Sequence, residues 1–200
     1  MVATNVKVTK EQAARNREAL VTAASKLFRE RGIDGVGVAD VSKAAGLTHG
    51  ALYAQFSSKE ELAAEALAHA TEEVSAKRYS PLGEGVSLTD HVELYLSKRH
   101  RDNLGTGCPL AASGSEAARQ HKALSRSFAS AFEKMADRIE ATLGPSVSNG
   151  RQRALAIAAA EIGALIVARG VAKADPGLSD ELMAAARKTL PELGRREIRA

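Results

Sequence analysis

A chain of 200 residues, 44% hydrophobic and 26% charged, can bury a core and is not a disordered tail. No apolar run is expected to reach the roughly 20 residues of a membrane helix, and the polar start MVATNVKVTKEQAARN is not expected to act as a secretory signal. The single cysteine, Cys108, excludes an internal disulfide framework and a Cys-rich zinc site, so a reducing cytoplasm is the expected compartment.

Apolar spacing predicts helices throughout and no convincing strand. Thr9 and Gln12 form a capping box for a first helix, whose stripe is Leu20, Ala24, Leu27 and Phe28 and whose stop is Gly32. A short second helix follows from about Val38 to Ala45, with Gly37 as its cap and Gly46 in the left-handed position after it. Thr48 caps a third, running to about Gln55. Ser58 and Glu61 open a long fourth helix to about Arg78, and Pro81, Gly83 and Gly85 then mark a break. A fifth is expected over about Leu88 to Arg101, followed by a turn and a short sixth with Pro109 at its first position. The seventh carries Leu124, Phe128, Phe132, Met135 and Ile139 and ends at Gly144-Pro145. The eighth covers about Arg151 to Ala174, and the ninth starts at Ser179, with Leu178 and Met183 as a hydrophobic staple and Pro191 as its stop.

All of the net charge of +4 falls in the first 59 residues, which hold nine basic and five acidic side chains. That asymmetry favours an anionic partner for this part of the chain. Two short capped helices joined by a tight glycine turn, Val38 to Gln55, have the form of a helix-turn-helix. The second of them offers Thr48, His49, Gly50, Ala51, Ala54 and Gln55, groups small enough for close approach or able to hydrogen-bond base edges, with Tyr53 in reach of a phosphate. Lys59 lies in the first turn of the next helix, where its ammonium and the free N–H groups make a phosphate clamp. The competing reading is a plain helical hairpin in which Tyr53 and Phe56 are core residues.

The run AGLTHGALYAQFSSKEEL, Ala45 to Leu62, resembles the DNA-binding signature of the TetR family of bacterial transcriptional regulators. The Ala-Gly turn, the small residue before a glycine, Leu-Tyr, the following Phe and the Ser-Lys-Glu-x-Leu helix start all match. So do Leu27-Phe28, Gly32 and Asp40-Val41, and the likeness covers about Ala13 to Leu67. The resemblance implies an all-α fold of about nine helices, with a helix-turn-helix DNA-binding domain over 1–57 and a helical effector-binding and dimerisation domain over 58–200. It implies a homodimeric repressor on a palindromic double-stranded DNA operator, released by a small-molecule effector. Its base-reading face maps to Thr48, His49, Gly50 and Tyr53, and its backbone contacts map to Lys43, Tyr53 and Lys59. Two departures stand out. Gly37 replaces the family's usual Thr, leaving that phosphate contact to a backbone N–H, and Ala39 stands where a basic residue is common. Arg17 and Lys43 are placed to compensate.

A single recognition helix reads few base pairs, so such units work in pairs about 34 Å apart. Small residues on the eighth helix (Ala158, Ala159, Ala160, Gly163, Ala164, Gly170), with Leu182, Ala186 and Leu190 on the ninth, suit a close-packed pairing face. In the family these helices form a four-helix dimer bundle. The family's effector pocket lies among the middle helices, and here Leu67, Tyr95, Phe128 and Phe132, with Cys108, are its candidate lining. That set favours a hydrophobic or aromatic effector, though most of it reads equally well as core.

Cys108 precedes Pro109 and is expected to cap a helix whose dipole stabilises a thiolate, with Lys98, Arg99, His100 and Arg101 close in sequence and Gly107 leaving room for a reagent. The sharp reading is a sensor of electrophiles or oxidants, and the bland one a buried thiol. Catalysis is not expected. The five histidines form no His-Glu-x-x-His pair, there is no phosphate loop after a strand, and neither a metal nor a cofactor is implied. The alternative kept open is an enzyme or binding protein using Cys108 with His100 or His121. A non-specific nucleoid binder fits poorly with a charge of only +4.

Overall fold

The computed structural model describes residues 9–79, 85–145 and 147–195, and within them every regular element is helical. The N-terminal unit comprises α1 (Lys10–Arg31), α2 (Val38–Ala44) and α3 (His49–Tyr53). The remaining helices are α4 (Lys59–Val74), α5 (Leu88–Tyr95), α6 (Lys98–Asp102), α7 (Pro109–Ala117), α8 (Lys122–Leu143), α9 (Gly150–Val171) and α10 (Pro176–Thr189). One wide π-type turn, Ser75–Tyr79, continues α4, and a 3-10 turn, Leu190–Gly194, follows α10. Of the expected break, Pro81 and Gly83 lie outside the described residues, while Gly85 has φ 80°.

Capping chemistry sets most of the boundaries. The Thr9 hydroxyl accepts from Gln12 N at 3.1 Å, and Gly32 ends α1 at φ 76°. Ser58 accepts from Glu61 N at 3.1 Å, while the Glu61 carboxylate reaches back to Ser57 N and Oγ at 2.8 and 2.6 Å. The helix expected over Leu88 to Arg101 is two helices. Leu96 leaves helical geometry at φ −92°, ψ 30°, and the Ser97 hydroxyl caps α6 through His100 N. The last long helix starts at Asp175-Pro176 and not at Ser179. Asp175 accepts from Leu178 N at 2.9 Å, Ser179 is fully buried and donates to Ala168 O at 2.8 Å, and Leu178 is 46% exposed, so it staples nothing.

Helix α4 is the spine, packed on α1 along one side and on α8 along the other. Its Leu62, Ala63, Ala66 and Leu67 join one continuous core with Leu20 and Phe28 of α1 and Leu124, Ile139, Ile157 and Leu165 of α8 and α9. Polar ties reinforce the junction between the N-terminal unit and the helices that follow it. Glu116 of α7 is buried and takes Ile33 N and Asp34 N on Oε1 at 2.6 and 3.2 Å. The buried Arg29 of α1 donates to Ser25 O, to Gly107 O and to the Glu73 carboxylate of α4, the last at 2.9 Å. These bonds tie the helix-turn-helix to the larger helical body.

The expectation about apolar runs needs correction. Helix α9 has 22 residues, and an 18-residue stretch within it has a mean hydropathy of 1.8, long and apolar enough to cross a membrane by length and composition. Its inner side, however, carries Glu161, fully buried and facing His91 Nε2 at 3.3 Å, and packs on α8 and α10. An acid built into a protein core in this way fits a helix buried against protein better than one facing lipid.

Candidate nucleic-acid interface

The turn between α2 and α3 is a Schellman arrangement. Gly46 N donates to Lys43 O at 3.1 Å and Leu47 N to Ser42 O at 2.9 Å, with Gly46 at φ 67°, where a side chain would strain the backbone. Val41 and Leu52 are fully buried and Phe56 nearly so, which pins α2 and α3 to α1 from the inside. Arg17 of α1 clasps the same corner. Its guanidinium lies 4.2 Å from the centre of the Phe56 ring and bonds both Gln55 O and the Glu65 carboxylate.

With Leu52 turned inward, the opposite side of α3 faces out. Thr48, His49, Gly50, Tyr53 and Ala54 are all exposed, and Tyr53 reaches 55%. The plain hairpin reading therefore holds for Phe56 and fails for Tyr53. The Thr48 hydroxyl caps α3 through Ala51 N at 3.3 Å, and the His49 and Tyr53 rings meet edge to face at 5.0 Å. A methyl group added at Gly50 would meet nothing within 4 Å. Glycine inside a helix costs stability relative to alanine, and here no internal contact requires it.

Lys43, in the last turn of α2, is exposed, and Lys59 is half-buried in the first turn of α4. Two of the phosphate contacts expected from sequence are occupied elsewhere. Arg17 is engaged in the clasp just described and is not free to compensate. Gly37 N already donates to Asp40 Oδ2 at 3.0 Å, so the backbone donor expected to stand in for a threonine is taken.

Comparison with known proteins identifies the N-terminal domain. Residues 20–66 match the family described as "Bacterial regulatory proteins, tetR family". Residues 20–66 thus carry the DNA-binding domain of the TetR family. Over 57 residues it is 40% identical to the HTH-type transcriptional regulator TtgR of Pseudomonas putida, a stretch covering 28% of this chain and 27% of that protein. It is 35% identical over 57 residues to AcrR of Shigella flexneri, covering 28% and 26%. The matched stretch thus spans about a quarter of these curated relatives. The TetR-like architecture extends further in solved structures. A transcriptional regulator from Rhodococcus sp. Rha1 aligns with TM-score 0.72 at 23% identity over 88% of this chain and 95% of that one. A TetR-family regulator from Cytophaga hutchinsonii aligns with TM-score 0.71 at 19% identity over 97% and 100%. At these identities the likeness is one of fold.

The residues expected to line the TetR-type effector pocket are not gathered in one cavity. Leu67 borders a small void shared with α1 and α7, of about 20 Å³. Tyr95 and Cys108 border another of about 20 Å³, with Tyr79, Met135 and Arg138. Phe128 and Phe132 are partly buried against the core. Each void holds about one water. Inside the second, the Tyr95 hydroxyl is buried without a hydrogen-bond partner, and burial pushes its ionisation well above the usual tyrosine range.

Cys108 does cap α7, with Pro109 following, but it is buried at 4% exposure. Of the basic residues near it in sequence, His100 is the one bonded to it, taking Cys108 N on Nε2 at 2.8 Å while Nδ1 pairs with Tyr95 O at 2.6 Å. Two such bonds require a neutral ring with the proton on Nδ1. Burial, and then the charge of Arg78, push the His100 pKa down to about 3. Nor does Gly107 leave space for a reagent: a methyl group there would lie 2.5 Å from Arg169 Nη2 and 2.7 Å from Asn103 O. The glycine is needed for that close approach.

Proposed function

We propose that this chain is a DNA-binding transcriptional regulator of the repressor type, holding a palindromic operator as a homodimer. The observation that carries the reading is the outward side of α3, where Thr48, His49, Gly50 and Tyr53 stand exposed on a helix fixed from behind by Leu52 and Phe56. In this reading Thr48 and His49 meet base edges, Gly50 lets the backbone approach the groove floor, and Lys43, Tyr53 and Lys59 meet phosphates. The domain division at about residue 57 follows, with α4 carrying Lys59 on one side and core residues on the other.

An exposed apolar strip on α9 and α10 supports pairing of two copies. Ile166, Val167 and Leu178 are 44, 48 and 46% exposed, and Ala156, Ala159 and Gly170 lie open beside them. Ala158, expected from sequence on this face, is instead fully buried inside the subunit. For the effector, the void between Tyr95 and Cys108 is the better supported of the two, because it offers an open hydroxyl. An apolar molecule, or one that reacts with a thiol, would have to widen it.

Two substitutions separate specificity from affinity. Lys59→Ala should weaken binding to every duplex alike and lower the salt slope by about one. His49→Ala should change which operator is preferred, as read by anisotropy on a panel of duplexes at fixed salt. Uniform loss in both would remove α3 from the groove. Gly50→Ala gives a separate check: it should stabilise the free chain by about 0.5–1 kcal/mol in denaturant unfolding while weakening operator binding. A gain in stability with unchanged binding would mean that no groove approaches residue 50.

A further inference from the structure

The end of α4, the segment from Leu94 to Asn103 and the loop after it enclose a groove of about 320 Å³ that neither the DNA reading nor the pairing reading uses. Its walls carry three cations, Lys77, Arg78 and Arg99, and one acid, Glu73. Glu73 is already engaged on both oxygens, Oε2 by Arg29 and Oε1 by Lys77, each at 2.9 Å. Arg78 donates through Nη2 to Thr106 O at 3.3 Å, while its Nη1 is buried with no hydrogen-bond partner. Burying a guanidinium donor without an acceptor is costly, and Arg in particular presents a planar fork that matches carboxylate and phosphate oxygens. His100, also on the wall, is held neutral and adds no charge to it. Asn103 and Thr106 add neutral polar groups at the mouth. The groove is therefore positive and roomy, and Arg78 on its wall has hydrogen-bonding capacity that the protein leaves unmet.

We propose that this groove binds a small organic anion bearing a carboxylate or phosphate group, gripped by Arg78 with Lys77 and Arg99 at its rim. Bidentate capture by a guanidinium is the strongest hydrogen-bonded contact available to such a group. An anion that draws on Lys77 competes with Glu73 for it, and Glu73 is the α4 partner of Arg29 on α1. Occupancy is thus felt at the helix that carries the helix-turn-helix, a consequence that rests on the regulator reading; the binding itself does not.

Titration calorimetry on the full chain at low salt, without DNA, tests the site with succinate, inorganic phosphate and neutral succinamide. Saturable binding of one anion per chain is expected, with none for succinamide. Binding of succinate alone assigns the site to carboxylates, and binding of phosphate alone to phosphoryl groups. Arg78→Gln should weaken the bound anion about tenfold or more. Arg99→Gln, which alters an exposed side chain and so keeps the fold, should weaken it about threefold. Absence of binding by both anions, or affinity unchanged in Arg99→Gln and in folded Arg78→Gln, overturns the proposal. Because no DNA is present, failure of the operator experiments and failure here are distinguishable.

Discussion

Replacing Ile166 and Val167 together by glutamate should give a folded monomer whose affinity for a palindromic duplex is lower by about two to four orders of magnitude. Both side chains are nearly half exposed in the single chain, so acids there are tolerated when the surface faces water. Against a second copy the same acids would be buried in an apolar, like-charged face, which association cannot offset. Linking two recognition helices makes the second half-site contact effectively intramolecular, and that advantage disappears with the dimer. Light scattering reads the mass and anisotropy the affinity. A duplex carrying one half-site should bind the double variant and the parent chain equally. A variant that remains dimeric with full operator affinity would place the pairing surface elsewhere.

Acidification provides the second large effect. His100 is buried neutral with its pKa near 3, against 6.5 for a free histidine. A base whose folded pKa is depressed stabilises the fold above its unfolded pKa and loses that contribution as pH falls, because the unfolded chain then binds the proton that the folded chain refuses. From about pH 7.5 to 5 the loss amounts to about 2 kcal/mol. The buried Glu161 acts with opposite sign. Burial raises its pKa, so its contribution is present at low pH and declines as pH rises. Comparing denaturant midpoints of the parent chain and His100→Asn across that range isolates the histidine. The variant should be less stable at neutral pH, having lost a buried acceptor for Cys108 N, and distinctly flatter in its acid dependence. Parallel curves would mean that His100 is protonated inside the fold.

The sequence carries local signals well and distant ones poorly. Thr9, Ser58, Gly46 and Gly144-Pro145 mark helix ends because a cap or a left-handed residue acts on its immediate neighbours. The exposed side of α3 was equally legible, since small and polar groups alternate there with the single inward Leu52. The break at Leu96 was hidden because Val92, Tyr95, Leu96 and His100 are all buried and keep a helical spacing straight through it; the one clue was Ser97, a good N-cap. The start of α10 is hard to place because Asp175-Pro176-Gly177 has the composition of a turn, whereas proline at the first helical position behind a capping Asp is a start. The fates of Arg17 and Gly37 differ in kind. Arg17 is claimed by Gln55 and Glu65, far along the chain, and a fold is needed to bring them together. Gly37 is claimed by Asp40, three residues away, a local bond within reach of the sequence.

That Arg17 clasp joins α1, the tail of α3 and α4 in a single knot. On the proposed regulator reading, this knot would carry a rearrangement of the larger helical body to the reading helix as a tilt of an intact block, with no melting of α3 along the way. About 21 Å of α4 separate Glu73 from Lys59 at 1.5 Å per residue, so a swing of roughly 5° displaces that lysine by about 2 Å, enough to part it from a phosphate oxygen. Amides of α3 should then show the same protection from hydrogen exchange whether the protein is gripping its duplex site or has been switched off.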